Sequence, residues 1–306
     1  MDNKSKGFLA VITSGIIFGS MPLLAKISYS SGSNPLNLVF WRFFMALPVL
    51  FIIIKRNKEI SFKITKIEFK KVLLLSILGY ISTAMLLFIS YNYISTGMAT
   101  TIHFVYPILV IVGSVIFFKQ NINMIKFISV ILCTLGIFLL YGGDSQINII
   151  GVILSFLSGI TYAFYILYLD KSGLKDMNSI KLIFYLSTIA SIIMFIINIF
   201  SNTFTININF IGWLSMGILS IAVALGAVNL LSIGIKIVGP QSASILSTFE
   251  PITSLIIGAL IFKEVISFKM LIGVIFILTS VILITALDNN KIIIKRRKYR
   301  TKHLKI

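Results

Sequence analysis

The chain has 306 residues, 58% hydrophobic and only 12% charged, with a mean hydropathy of +1.03. A water-soluble domain carries about twice that charge, so the composition excludes one and points to a polytopic membrane protein. The net charge of +18 would suggest nucleic acid in a soluble chain, whereas Cys133, the one cysteine, rules out an intramolecular disulfide or a thiolate metal cluster.

Apolar runs between polar breaks place ten candidate spans near 7–27, 36–54, 72–93, 98–118, 124–141, 149–169, 180–200, 210–236, 241–262 and 268–287. Each holds close to the roughly 20 residues that a helix needs to cross about 30 Å of hydrocarbon. Helices are expected because the runs are continuously apolar, without the alternation of barrel strands. Segment 55–71, KRNKEISFKITKIEFKK, carries seven Lys/Arg and the tail 288–306 carries eight; with Lys4 and Lys6 these regions hold seventeen of the 27. The connections expected on the opposite side, 28–35, 94–97 and 201–209, have no charged residue, and 142–148 has only Asp144. The positive-inside rule then puts both termini in the cytoplasm. The Ile/Lys/Asn-rich composition suggests a bacterial plasma membrane. The excess charge is thus read as topology, with anionic lipid as the partner of the tail KRRKYRTKHLK and no nucleic-acid partner.

Shifted by 144 residues, the chain matches itself. Gly7, Ser14 and Gly15 recur as Gly151, Ser158 and Gly159, and Ala99, Pro107, Phe118 and Lys119 recur as Ala243, Pro251, Phe262 and Lys263. This divides the chain into a first five-helix repeat (1–143), a second (144–287) and the basic tail (288–306). An odd number of spans per half turns the second repeat upside down, and inverted repeats are the signature of alternating-access carriers with a site near the midplane. A channel-like facilitator or a scaffold without transport is the alternative. No metal or enzymatic motif such as HExxH or GxSxG appears, so neither an enzyme nor a cofactor is expected.

The Ser-Gly pairs (Ser14-Gly15, Ser158-Gly159), the proline-containing fourth helices and the stretch FEPITSLIIGALIFKE at 249–264, with Glu250-Pro251 and a closing Glu264, resemble the EamA-like branch of the drug/metabolite transporter superfamily. Trp41-Arg42 is similar to the family's aromatic-Arg step. The first half departs from the pattern: Pro107 is kept, but Tyr106 and Gln120 replace the two acids. The resemblance implies a basket of ten helices around a cavity lined by spans 1, 3, 4, 6, 8 and 9, with spans 5 and 10 peripheral. It also implies secondary transport of amino acids, nucleotide-like metabolites, vitamins or cationic compounds.

A charge in hydrocarbon needs a partner or a cavity. Lys26 ends span 1 and is expected to snorkel to the surface. Arg42 lies about a third of the way into span 2 and, with Trp41, is read as a gate or ion-pair residue. Glu250 falls near the middle of span 9, where it can bind a substrate amine, carry a coupling proton or hold Arg42. His103 is a relay or ligand candidate. The neutral polar residues expected around them are Tyr80, Tyr91, Asn92, Thr100, Tyr106, Tyr162, Tyr165, Asn229, Ser244, Ser247 and Thr248. Spacings of three and four put Ser244, Ser247 and Thr248 on one helix face. Pro107 and Pro251, lacking an amide, are expected to kink their helices. One acid among hydroxyls suits a small zwitterion, so the expected substrate is an amino acid or related amine-bearing compound leaving the cell. A cationic drug, nucleoside or vitamin is the alternative cargo.

Overall fold

The computed structural model describes residues 3–94, 96–119, 124–141, 148–262, 268–269, 271–280 and 282–283, and these are helical and irregular, with no strand among them. The helices in chain order are α1 (Asn3–Gly19), α2 (Met21–Ser30), α3 (Pro35–Phe44), α4 (Ala46–Arg56), α5 (Lys66–Leu75), α6 (Ser82–Ser90), α7 (Thr96–His103), α8 (Tyr106–Ile116) and α9 (Met124–Tyr141). They continue as α10 (Ile149–Lys171), α11 (Ser179–Phe200), α12 (Phe210–Ile221), α13 (Asn229–Val238), α14 (Pro240–Leu246) and α15 (Phe249–Phe262). Several join end to end. Among the described residues, six continuous stretches are long and apolar enough to cross a membrane: Asn3–Ser30, Pro35–Arg56, Lys66–Ser90, Ile149–Lys171, Ser179–Phe200 and Phe210–Val238. The other four apolar runs hold shorter or interrupted helices, namely α7 with α8, α9, α14 with α15, and Leu271–Ser280. Glu264, Gln120, Lys263 and the basic tail 288–306 lie outside the described residues.

Local sequence sets the ends. Asn34, Asn148, Asn178 and Asn209 cap the helices that follow them with side-chain oxygens. After the basic segment, Thr65 and Glu68 close a capping box, with Glu68 N–H donating to Thr65 Oγ1 at 3.2 Å and Thr65 N–H to Glu68 Oε2 at 2.8 Å.

The interruptions have one cause on both sides. Pro107 and Pro251 stand just inside α8 and α15 and lack the amide that would reach the carbonyls of His103 and Ser247 one turn earlier. Each carbonyl is met by a glycine of the facing helix. A Cβ at Gly159 would lie 2.8 Å from the His103 carbonyl oxygen, and one at Gly15 would lie 3.2 Å from that of Ser247. Both pairs differ by 144 in number. The same offset links Gly7, whose Cβ would meet Ile237 and Val238, with Gly151, which faces Tyr93 and Ile94. The first helix of each half thus packs on the interrupted helix of the other. A turn of π-helix interrupts the third apolar run of each half, at Ser76–Ile81 and Ala222–Val228; such turns accommodate an extra residue and recur at functional sites.

Candidate functional site

The crossing helices leave a cavity of about 40 Å3 in the middle of the bundle. At ~10–15 Å3 per water position it has room for about three waters. Its polar lining is Arg42, Tyr80, Thr83, His103, Tyr162, Tyr165 and Glu250, and its apolar lining includes Phe18, Met21 and Phe88. The residues come from the spans that the family resemblance implies, and Arg42 adds span 2.

Arg42 and Glu250 are 6% and 4% exposed. They line the same cavity but form no ion pair with each other. The Arg42 guanidinium carbon instead lies 5.2 Å from the ring centre of Phe43 and 5.7 Å from that of Phe88, where ring faces provide negative potential. Glu250 is the second residue of α15, beside the helix interruption, where its N–H donates to Ser247 O at 3.0 Å. Gly19 approaches its backbone so closely that a Cβ there would lie 2.5 Å from the Glu250 carbonyl oxygen.

His103 is held from behind. Its Nδ1 is 2.8 Å from Ser158 Oγ, and that hydroxyl donates its single proton to Ser155 O at 2.6 Å. The hydroxyl can then only accept from the ring, which assigns the proton to Nδ1 and leaves Nε2 as an acceptor. Aromatic rings form the rest of the wall. Tyr162 and Tyr165 are parallel at 6.0 Å, and Tyr80 stacks on Tyr165 at 6.1 Å. Tyr106 is fully buried behind them, edge-on to Tyr162 at 4.7 Å and 5.3 Å from the His103 ring.

Other expected residues stand elsewhere. Ser244, Ser247 and Thr248 are buried, but their hydroxyls donate to Gln241 O, Ala243 O and Ile245 O of their own chain segment at 2.9, 2.9 and 2.6 Å. Thr100 likewise bonds Thr96 O at 2.7 Å. Asn229 accepts from Ser179. Tyr91 packs edge-on against Phe88 at 5.6 Å, and Asn92 is exposed. Trp41 joins Phe40, Phe204 and Trp213 in an aromatic cluster outside the cavity lining, with Trp213 at 4.7 Å. The apolar lining had no distinguishing signal in a chain this hydrophobic. Asp170, buried and bound by Lys171 and Lys175 at 3.0 and 2.7 Å, also escaped the sequence reading.

The model of the EamA-like transporter family matches the chain twice, over residues 5–142 and 149–286. The chain belongs to that family. Similar proteins include uncharacterised transporters of Synechocystis sp., 27% identical over 65% of this chain and 61% of the relative, and of Bacillus subtilis, 25% identical over 64% and 65%. An uncharacterised transporter of Archaeoglobus fulgidus is 30% identical over 49% and 52%. These alignments span less than two thirds of each relative. A solved crystal structure superposes with a TM-score of 0.79 over 94% of this chain and 98% of its own, at 14% identity, a likeness of fold alone. This EamA-like protein is therefore membrane-embedded and multi-pass.

Proposed function

We propose that this transporter is a secondary active, alternating-access carrier of a small amine-bearing metabolite, an amino acid or close relative. The observation that carries the reading is the placement of Arg42 and Glu250 on one small cavity without contact between them. Two opposite charges held apart in hydrocarbon are costly. A zwitterion between them neutralises both at once: its carboxylate meets the guanidinium fork and its ammonium meets Glu250, with tyrosine faces alongside. A purely cationic cargo would suit Glu250 and the rings but would bring its charge against Arg42. A polyanion would face Glu250.

The rest of the proposal is topological. Ten spans in two inverted repeats, both termini in the cytoplasm and a bacterial plasma membrane accord with the distribution of lysines and arginines. The direction proposed is export. A crevice of about 360 Å3 lined by Lys175, Asp176, Asn178, Ser179, Ser232 and Lys236 lies at the end the basic residues assign to the cytoplasm. A proton carried by Glu250 is the proposed coupling ion.

The test is counterflow in proteoliposomes loaded with an amino acid mixture. Each labelled amino acid is compared with the amine that lacks its carboxylate and the acid that lacks its amine. Exchange of the zwitterion with neither half-molecule transported is the expected result. Transport of the deaminated acid, or of a compound bearing several phosphates, would overturn the reading.

A further inference from the structure

A groove of about 870 Å3 runs between α8 and α10, on the opposite side of α10 from the cavity. Its volume falls in the ~300–1,000 Å3 range of ligand sites. The walls are apolar, with Leu109, Val112, Phe117, Ile160 and Phe164 among them. Val112, Phe117 and Ile160 are 43%, 76% and 41% exposed, so the slot opens to the lipid side of the bundle. At its floor the two helices meet closely, since a Cβ at Gly113 would lie 2.6 Å from Leu167 Cδ1.

The groove ends at Lys71, Lys171 and Ser172. Lys71 Nζ donates to Ser172 O at 2.6 Å. Lys171 Nζ is 3.0 Å from Asp170 Oδ2 and 5.3 Å from the ring centre of Phe118. An ammonium has three donors, so each lysine keeps donors for a ligand. Asp170 is shared with Lys175 at 2.7 Å, which leaves this end of the groove positive. An apolar slot closed at one end by two ammonium groups is complementary to one kind of molecule, an alkyl chain with an anionic head.

The repeat shows that these features are not demanded by the shared scaffold. Shifted by 144 residues, Lys71 corresponds to Ser215, Lys171 to Ile27, Gly113 to Ile257 and Phe164 to Ser20. The equivalent surface of the other half has no cation at either position and a large residue where the groove has its glycine.

We infer that this groove binds an anionic phospholipid, with an acyl chain laid between α8 and α10 and the phosphate between Lys71 and Lys171. The test uses the full-length protein in neutral detergent and native mass spectrometry. The probes are phosphatidylglycerol, phosphatidylcholine with the same chains, and glycerol phosphate without chains. At about 1 kcal/mol per lysine at a lipid surface, two lysines give a roughly thirtyfold preference for phosphatidylglycerol, held as one adduct that glycerol phosphate does not displace. Val112→Trp fills the slot from an exposed position and leaves every charge in place, including those of the basic tail; it should remove that adduct. Lys171→Gln, alone and with Lys71→Gln, should lower phosphatidylglycerol toward the phosphatidylcholine level. Lys171→Gln decides the matter if the double variant does not fold. A preference unchanged in Val112→Trp would assign it to the tail and overturn the site. Displacement by glycerol phosphate would make it a free-phosphate site, and a dimer lost in Val112→Trp would make a second copy the occupant; either result overturns the inference.

Discussion

Glu250→Gln separates a binding acid from a structural one, because the two roles predict different observables. Had Glu250 been the ion-pair partner of Arg42, the change would strand a buried guanidinium, and breaking a buried pair costs about 3–5 kcal/mol. The two side chains line one cavity without an ion pair, and Arg42 rests on the rings of Phe43 and Phe88. Removing the carboxylate charge therefore takes away no contact that holds Arg42. The expected stability change is smaller than that for the loss of a buried pair. The cost should appear in binding. A hydrogen bond to a charged group contributes about 1.5–3 kcal/mol, which is roughly 10–150-fold in apparent affinity for the proposed amine-bearing substrate. The assay pairs thermal unfolding of the purified protein with counterflow at varied substrate concentration, for wild type, Glu250→Gln, Arg42→Gln and the double variant. Loss of folded Glu250→Gln protein that Arg42→Gln restores would refute the reasoning, and so would a stable Glu250→Gln variant with wild-type affinity and pH profile.

Gly19→Ala should destabilise by about 1–3 kcal/mol, the range for overpacking, because its Cβ would lie 2.5 Å from the Glu250 carbonyl oxygen, whereas Gly217→Ala, with nothing within 4 Å, should be neutral or stabilising by about 0.5–1 kcal/mol; equal melting temperatures would contradict the close approach. Ser158→Ala leaves His103 Nδ1–H without the acceptor it has at 2.8 Å, and an unsatisfied buried donor costs about 1–3 kcal/mol; denaturation that matches wild type would place the ring proton elsewhere. Cysteine labels at 60–65 and 204–208 should react from opposite sides of the membrane, and labelling from one side would remove the inverted repeat.

How much of this was legible depends on whether a residue's role is local. The six long spans follow from hydropathy, and the two interruptions follow from Pro107 and Pro251, because a missing amide acts within one turn. The glycines that approach the His103 and Ser247 carbonyls were visible as a recurring Ser-Gly pair, although the atoms they face belong to the other half. Hydroxyl placement was less legible. Spacing put Ser244, Ser247 and Thr248 on one face, but each hydroxyl bonds a carbonyl three or four residues back, an option always open to Ser and Thr in a helix. Asn229 and Asn92 stand outside the cavity lining for the converse reason: one meets Ser179 and the other is exposed, and neither environment is encoded near it in the chain. Phe18, Met21 and Phe88 line the cavity as apolar residues in a chain where apolar residues also face lipid.

The two halves duplicate packing but not chemistry. At one end, the segment carrying Thr203 and Thr205 is fastened by Asn34 Nδ2 to Thr203 O at 2.7 Å and Asn37 Nδ2 to Thr205 O at 3.0 Å, with Phe204 against Phe40 at 5.8 Å. At the other, Tyr185 donates to Phe62 O and Phe62 packs on Phe184 at 5.6 Å. Phe40 and Trp41 correspond to Phe184 and Tyr185 under the 144-residue shift. Equivalent fastenings at both ends are what a carrier needs if closing one end is to be the counterpart of opening the other. The centre breaks the correspondence, since Glu250 answers to Tyr106 and Arg42 to Leu186. A single cargo needs only one set of charged contacts, provided it stays in one site while the surrounding helices exchange arrangements. A second acid and a second base would add desolvation cost in hydrocarbon without adding a contact. The tyrosine at the first half's equivalent of Glu250 is then the expected residue: it keeps the ring wall against Tyr162 and His103 and brings no charge.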